Sequence, residues 1–396
     1  MTFKEAYEVC RKKAHLHMRK MNIDLFDPVE NRDGEYYGIE WEQEIGDRYA
    51  WLCSFVSGMG PLLFHTDGDR EALKWANQFA EKYHDKVFAD YTETMHDLGF
   101  LYLPYSVYLY QLTGDAGHRE TALRAAEELA KRFDVWGRYI EAWSEMNTDD
   151  EREGRVIVDS AMNVPLLFWA WKESGHSFYY DVAVAHLDTL MKTLIRPDYS
   201  VCHSWIFDLQ TGQPVKEDNC CGYANGSYWA RGTAWLVFGL AIAYEYTKNA
   251  KYLDVAVKVA EKYLASLDNG PIPVWDFRLP DDMPAKICDN INGLTATWNE
   301  SLWENRIYNV DTSAAAVMVC AFQIITKHRA MPVLTKYIMD ALVVLGDQYL
   351  DTDSSKTGML RRSNGRDAYD IYGDYYYMLA LAVELYGINT CWNGRR

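Results

Sequence analysis

His118-Arg119-Glu120-Thr121-Ala122-Leu123-Arg124-Ala125-Ala126-Glu127-Glu128-Leu129-Ala130-Lys131-Arg132-Phe133 decides the fold. Leu123, Ala126, Ala130 and Phe133 recur at helical spacing on one face, and Arg119, Glu120, Glu127 and Lys131 fall elsewhere. Leu253, Val257, Ala260, Leu264 and Leu267 repeat the pattern. A polar turn, Thr113-Gly114-Asp115, stands ahead of the first run, and the same phrase precedes other alanine-rich runs. It occurs at Thr66-Asp67-Gly68-Asp69, Ser174-Gly175-His176 and Thr247-Lys248-Asn249-Ala250. Each phrase marks the turn of a helical hairpin. Alternation of the strand type is confined to short pieces such as Ser204-Trp205-Ile206-Phe207. The chain is therefore all-α, and its length fits five or six hairpins arranged as an α/α toroid around a central pocket. No linker-like stretch divides it, so residues 1–396 are expected to form one domain.

Composition narrows the partners. Of 396 residues, 49% are apolar and 24% charged, an ordinary globular balance that excludes disordered and fibrous classes. Forty Lys and Arg against fifty-seven Asp and Glu give a net charge of −17, which opposes binding to nucleic acid or an anionic membrane surface. The N-terminus, Met1-Thr2-Phe3-Lys4-Glu5-Ala6-Tyr7, has the pattern of a charged amphipathic helix. No stretch reaches the roughly 18 apolar residues of a membrane span. A cytoplasmic protein with reduced thiols is expected, its eight cysteines being scattered and without a CxxC pair. Fourteen Trp and 29 Tyr supply flat rings with a polar edge, suited to a thick core or to stacking against sugar rings.

The chain lacks the phosphate, dinucleotide, serine-elbow and zincin signatures. His15 and His17 sit among Arg11, Lys12, Lys13, Arg19 and Lys20, as on a solvated helix face, and Cys220-Cys221 lack partner ligands at metal spacing. No metal or nucleotide cofactor is indicated.

Carboxylates inside apolar runs are the better lead. Asp159 lies in Gly154-Arg155-Val156-Ile157-Val158-Asp159-Ser160-Ala161-Met162-Asn163-Val164-Pro165, where an ionised group is costly unless it faces a cavity or a cation. Burial there is expected to raise its pKa. A helix-capping role for Asp159, ahead of a helix starting at Ser160, fits the same residues. Asp97, in Met95-His96-Asp97-Leu98-Gly99-Phe100-Leu101, is framed in the same way one hairpin earlier. In a toroid such positions can converge on the axis. A third cluster, Tyr223-Ala224-Asn225-Gly226-Ser227-Tyr228-Trp229-Ala230-Arg231-Gly232-Thr233-Ala234-Trp235, puts a loop of small residues ahead of a helix that starts with aromatics and an arginine. It suits an anionic, ring-shaped ligand, or an arginine bridging loop carbonyls.

Together with Trp275-Asp276-Phe277, Asp311-Thr312-Ser313-Ala314 and Gly373-Asp374-Tyr375-Tyr376-Tyr377, these motifs resemble, in their order, those of unsaturated glucuronyl hydrolases, glycoside hydrolase family 88. The likeness runs from Trp51 to Tyr377. It implies an (α/α)6 barrel, an essential aspartate pair at Asp97 and Asp159, and substrate contacts at Trp51, His96, Trp143, His203, Trp229 and Arg231. Two departures stand out. Cys221 occupies a place shortly before the Gly-Ser-x-Trp segment where relatives often carry Gln, so a polar contact to the sugar is missing or replaced. The segment 278–310, with Trp298, Trp303 and Arg306, looks longer than the family pattern, as a lid or subsite wall would be.

The family's substrate is an unsaturated uronic-acid oligosaccharide left by a polysaccharide lyase, with a C4=C5 double bond and a C5 carboxylate. The resemblance therefore implies hydration of a vinyl ether, with Asp159 delivering a proton to C4 and Asp97 holding ring hydroxyls near the developing cation. An unsaturated rhamnogalacturonyl hydrolase acting on pectin fragments, a sugar epimerase using His203, and a non-catalytic glycan-binding protein are the alternatives. The sequence leaves the parent polysaccharide and the oligomeric state open.

Overall fold

The computed structural model describes residues 1–21, 28–29, 34–38, 50–143, 153–281, 306–365 and 367–393. Among these, helices pair as hairpins around a ring. Six helical segments form the inner circle: Cys53–Ser57 continued by Met59–Asp67, Leu98–Tyr102 continued to Thr113, Val158–Met162 followed by Val164–Ser174, Ala230–Thr247, Thr312–His328 and Ile371–Tyr386. Each packs on the next, and Ile371–Tyr386 returns to Cys53–Asp67, so the circle closes. The outer partners are Arg70–Ala76 with Ala80–Phe88, Ala116–Lys131, Ser177–Thr193, Ala250–Ala265, Pro332–Val344 and, completing the set, Phe3–Lys20 against the last inner helix. This is an (α/α)6 barrel, closed by docking the first helix on the last.

The two circles differ in sequence because they differ in surroundings. Ala230–Thr247 and Thr312–His328 are buried along nearly their whole lengths and lack a polar face, as helices enclosed on every side must. Ala250–Ala265 buries Tyr252, Leu253, Ala256, Val257, Val259, Ala260 and Tyr263 and turns its lysines outward. Crowding within the inner circle requires glycine at two contacts. A Cβ on Gly99 would stand 2.3 Å from Asn163 Cα, and one on Gly239 would stand 2.3 Å from the Ala161 carbonyl oxygen.

The polar phrases are the hairpin turns. Gly68, Gly114 and Gly175 end inner helices in the left-handed conformation, and Asp69 and Asp115 cap the outer helices that follow. Lys248 adopts the same conformation at φ 56° without being glycine, and Asn249 caps the next helix. Short sheets occupy loops between hairpins. Ser204–Phe207 pairs antiparallel with both Arg155–Ile157 and Pro214–Asp218, placing Ile157 beside Ser204. A two-stranded ribbon, Phe133–Asp134 with Tyr139–Ile140, is the other sheet in this region.

The first helix departs from the solvated face expected for its basic stretch. His17 is buried and stacked on Tyr36, His15 pairs with Asp69 at 2.9 Å, and Lys13 is buried with Nζ donating to the carbonyls of Asp353, Lys356 and Gly358. The reason is the closure of the ring: this helix is an outer partner, so one side of it faces protein. Among the described residues no helix is long and apolar enough to cross a membrane. Residues 282–305, with Trp298 and Trp303, lie outside the described residues, as do Cys288, Arg366 and the side chain of Arg306.

Candidate active site

Asp97 and Asp159 converge, and Asn163 joins them. Asp97 immediately precedes Leu98–Tyr102, and Asp159 lies in the short helical turn Val158–Met162. Asn163 Nδ2 donates to Asp97 Oδ1 at 2.8 Å and to the Asp159 carbonyl at 3.3 Å, and its Oδ1 accepts from the Phe100 N–H at 2.8 Å. The glycine at position 99 is what lets the two inner segments approach closely enough for these bonds. The capping alternative for Asp159 is not what the fold uses. The turn has no side-chain cap, and Asp159 Oδ2 is buried without a hydrogen-bond partner among the described residues.

Burial pushes the Asp97 carboxyl up to about 8, and the neighbouring charge of Asp159 adds to the effect against the opposing Asn163 hydrogen bond. At neutral pH the pair therefore retains one proton in a water-poor place. The turn carrying Asp159 is braced from behind. Ser160 Oγ donates to the Ile157 carbonyl at 2.7 Å and lies 2.8 Å from His186 Nε2, while His186 Nδ1 accepts from the Ile140 N–H. Burial lowers His186 to about 3, so this brace is a neutral imidazole.

His96 and His203 flank the carboxyl groups with opposite charge states. His96 Nε2 is 3.4 Å from Asp97 Oδ1, and burial lowers its pKa far enough to keep the ring neutral. His203 Nε2 is 3.6 Å from Asp159 Oδ2. Burial acts to lower its pKa, but the Cys221 thiolate and the Asp159 carboxylate outweigh that and raise it to about 10. The Cys220 thiol lowers its neighbour Cys221 to about 5 by hydrogen bonding, reinforced by the His203 charge. Cys221 and His203 thus favour each other's charged forms. The absence of metal-spaced partners for Cys220-Cys221 in the sequence is corrected by the fold. Strand Ser204–Phe207 and its leading residue bring His203 to within 3.3 Å of Cys220 Sγ, and His203, Cys220 and Cys221 have ligand atoms within 4.8 Å of one another.

An aromatic wall continues from His203. Its ring meets Trp229 edge-on at 5.1 Å. The Arg231 guanidinium lies over Trp229 at 4.7 Å and over Tyr372 at 4.6 Å, and Tyr372 stacks on Trp51 at 5.5 Å. Arg231 does not bridge loop carbonyls. Its Nη1 donates to Asp311 Oδ2 and Ser313 Oγ, each at 3.3 Å, and Asp370 Oδ2 is 3.9 Å away. Trp143 is half-buried and follows Ala142, whose carbonyl accepts from the His96 N–H at 3.0 Å. Asn163, Cys220, Tyr372, Asp311 and Asp370 are the members that the sequence did not single out for the site. Asn163 and Asp311 were visible only as parts of motifs and Cys220 only as half of a Cys-Cys pair without ligand-spaced partners, and Tyr372 and Asp370 join through contacts between distant segments.

The loop before Trp229 is held by Asp276. Its Oδ1 accepts from the N–H groups of Tyr228 and Arg278, and its Oδ2 accepts from that of Tyr223, all within 3.0 Å. The acids of the later motifs serve the same purpose elsewhere. Asp374 accepts from the N–H groups of Met359 and Leu360 and from the Tyr36 hydroxyl, and Asp311 caps the helix Thr312–His328.

No family model matches the chain. Over 361 residues it is 31% identical to the unsaturated chondroitin disaccharide hydrolase of Streptococcus pneumoniae, covering 88% of this chain and 85% of that one. The protein of the same name from Streptococcus pyogenes is 29% identical, covering 98% and 92%. Among solved structures, the unsaturated glucuronyl hydrolase of Bacillus sp. GL1, described as responsible for the degradation of glycosaminoglycan, superposes with a TM-score of 0.85 at 26% identity over the full length of both chains. With this barrel and these relatives, the chain is a glycoside hydrolase. The chain belongs to the family of unsaturated glucuronyl hydrolases.

Proposed function

We propose that this protein releases the unsaturated uronic acid from the non-reducing end of lyase-generated glycosaminoglycan disaccharides by hydrating its C4=C5 bond. The observation that supports this reading best is the joined pair of buried carboxyl groups, Asp97 raised to about 8 and Asp159 beside a cationic His203. The double bond, the ring oxygen and the C5 carboxylate form a conjugated vinyl ether. Protonation at C4 puts positive charge on C5 and the ring oxygen, and water then adds at C5. The resulting hemiketal opens, and the hemiacetal at C1 releases the second sugar.

In this reading Asp159 delivers the proton to C4 and takes one from the water that adds at C5. Asp97 shares the proton that burial retains on the pair and accepts hydrogen bonds from ring hydroxyls. The His203 imidazolium answers the C5 carboxylate, and Trp51, Trp143 and Trp229 supply the stacking walls. Neutral His96 has both ring nitrogens without hydrogen-bond partners among the described residues, leaving them for sugar hydroxyls. Arg231, already paired with Asp311, contributes a fixed positive wall rather than a mobile clamp. Local cations let an acidic protein accept an acidic sugar, because solvent ions screen the distant surface charge. The domain is read as one catalytic unit over 1–396, and its location as cytoplasmic.

The chemistry is tested by following the ultraviolet absorbance of the conjugated double bond with unsaturated disaccharides from chondroitin and from pectin fragments. Decay on the chondroitin set supports the reading. Decay on the pectin set alone would transfer it to rhamnogalacturonyl substrates, and binding without decay would make the protein a glycan receptor.

A further inference from the structure

We propose that His203, Cys220 and Cys221 form a binding site for a thiophilic divalent cation of the zinc class, placed against Asp159 so that the ion and the sugar exclude each other. Two sulfurs and an imidazole nitrogen are the donor set that such ions select. The spacing fits as well. A tetrahedral zinc ion with bonds of about 2.3 Å to sulfur and about 2.0 Å to nitrogen separates its sulfurs by about 3.8 Å and a sulfur from a nitrogen by about 3.5 Å. Cys220 Sγ and Cys221 Sγ are 3.5 Å apart, and Cys220 Sγ is 3.3 and 3.6 Å from the two ring nitrogens of His203. Closing these atoms on an ion requires the His203 ring to turn, because Cys220 Sγ lies nearly equidistant from its two nitrogens and so over the ring rather than along a lone pair.

A second observation points to a ligand at the same place. Asp159 Oδ2 is buried, has no hydrogen-bond partner among the described residues and faces His203 Nε2 at 3.6 Å, so it borders the group of three without joining it. The scaffold around the group is rigid. His203 follows Cys202, whose N–H donates to the Leu194 carbonyl at 2.9 Å, and leads directly into the strand Ser204–Phe207. Asn219, just before the cysteines, is tied on both amide atoms to Gly222, its Oδ1 accepting from the N–H and its Nδ2 donating to the carbonyl. Binding couples to no redox step. The ion replaces the Cys220 thiol proton and the proton on the ligating nitrogen of His203, both of which pass to solvent, and the Cys220 N–H bond to His203 Nδ1, 3.1 Å long, yields if that nitrogen becomes the ligand.

An ion held there takes His203 and Cys221 out of service and sits beside Asp159. Reversible inhibition by zinc is the consequence, and this clause alone rests on the proposed function. Of the other described cysteines, Cys202 adjoins His203 but turns its Sγ to the Thr193 and Ser204 carbonyls, and Cys10, Cys53, Cys320 and Cys391 are buried in other helices.

The test uses the full chain, freed of metal by a chelator, with Zn2+, Cd2+ and Co2+ as probes. One equivalent of Zn2+ retained per chain is expected. One equivalent of Cd2+ should give an ultraviolet sulfur-to-metal band, and Co2+ the intense visible bands of a tetrahedral thiolate site. Cys220→Ser should weaken Zn2+ binding at least tenfold, and Cys220→Ser with Cys221→Ser should abolish it. Should the variants not fold, protection of Cys220 and Cys221 from alkylation by Zn2+, mapped by mass spectrometry on the unmodified chain, gives the same answer. Unchanged binding in the double variant, or no thiolate band and no protection in the folded wild type, overturns the site. Binding without chelator-reversible inhibition of disaccharide turnover overturns its position against Asp159. Absence of turnover before any metal is added tells against the proposed reaction and leaves the binding result standing.

Discussion

His203 Nε2 stands 3.6 Å from Asp159 Oδ2, while Asp97, one inner helix away, is tied to the same turn through Asn163. The two carboxyl groups thus have different neighbours, a cation for one and a neutral amide for the other. Different surroundings are how a pair of like groups is given different tasks. Asp159 stands beside His203, and burial raises Asp97, so the proton that the pair retains is shared between them.

Replacing either carboxyl group should remove the reaction and leave the fold. Asp159→Asn and Asp97→Asn are each expected to lower kcat/KM on unsaturated chondroitin disaccharide by about 10²–10⁴-fold, the range for a positioned acid or base. Circular dichroism should be unchanged. A variant that keeps more than a tenth of wild-type activity removes that residue from the proposed chemistry.

The pH profile follows from the raised carboxyl. Asp97 is protonated below about 8, so kcat/KM should fall above that value as the pair loses its proton. Asp159, Asn163, Arg132 and Cys221 are the groups that set this value besides burial. In Asp159→Asn the neighbouring charge is gone, and the Asp97 titration, followed by carbon NMR of the carboxyl, should move down. A value that stays near 8 would assign the shift to burial alone.

The same group makes a stability prediction of definite sign. A folded pKa above the unfolded one means that the folded state binds more protons between about 4 and about 8, so stability falls as pH rises through that window. Asp97→Asn removes the titration. It is expected to raise the melting temperature at pH 8 relative to wild type and to change it less at pH 5, at the expense of activity. Equal shifts at both pH values would contradict the linkage.

Asp276 should matter for the sugar-facing loop more than for the chemistry. Asp276→Asn turns an acceptor into a donor against either the Tyr223 N–H or those of Tyr228 and Arg278, at a cost of about 1–3 kcal/mol. The loop that leads into Trp229 loosens, so KM should rise more than kcat falls. Steady-state kinetics separate this from a catalytic role, which would show the reverse.

Much of the ring was legible in the residues. Gly68, Gly114 and Gly175 occupy backbone conformations that other residues avoid, and the capping aspartates beside them follow simple rules, so the turns announced themselves. Asp97 and Asp159 stood out because charge inside an apolar run needs a reason. What stayed hidden depends on contacts between distant segments. Cys220 and Cys221 gain His203 only when two strands align, Tyr372 reaches Arg231 only when the last inner helix closes the circle, and His17 turns inward because its helix becomes an outer partner. Asp276, Asp311 and Asp374 carry the same side chain as the central pair, yet each satisfies backbone N–H groups. No spacing rule separates those uses.

The central claim is that a proton is added to C4 and water to C5, without attack at the anomeric carbon. The most direct measurement is the reaction of unsaturated chondroitin disaccharide in deuterium oxide, with the released uronic acid examined by NMR and mass spectrometry. The account predicts one solvent deuterium at C4 and loss of the double bond in step with sugar release. Release of a uronic acid that keeps its double bond and carries no deuterium at C4 would contradict it.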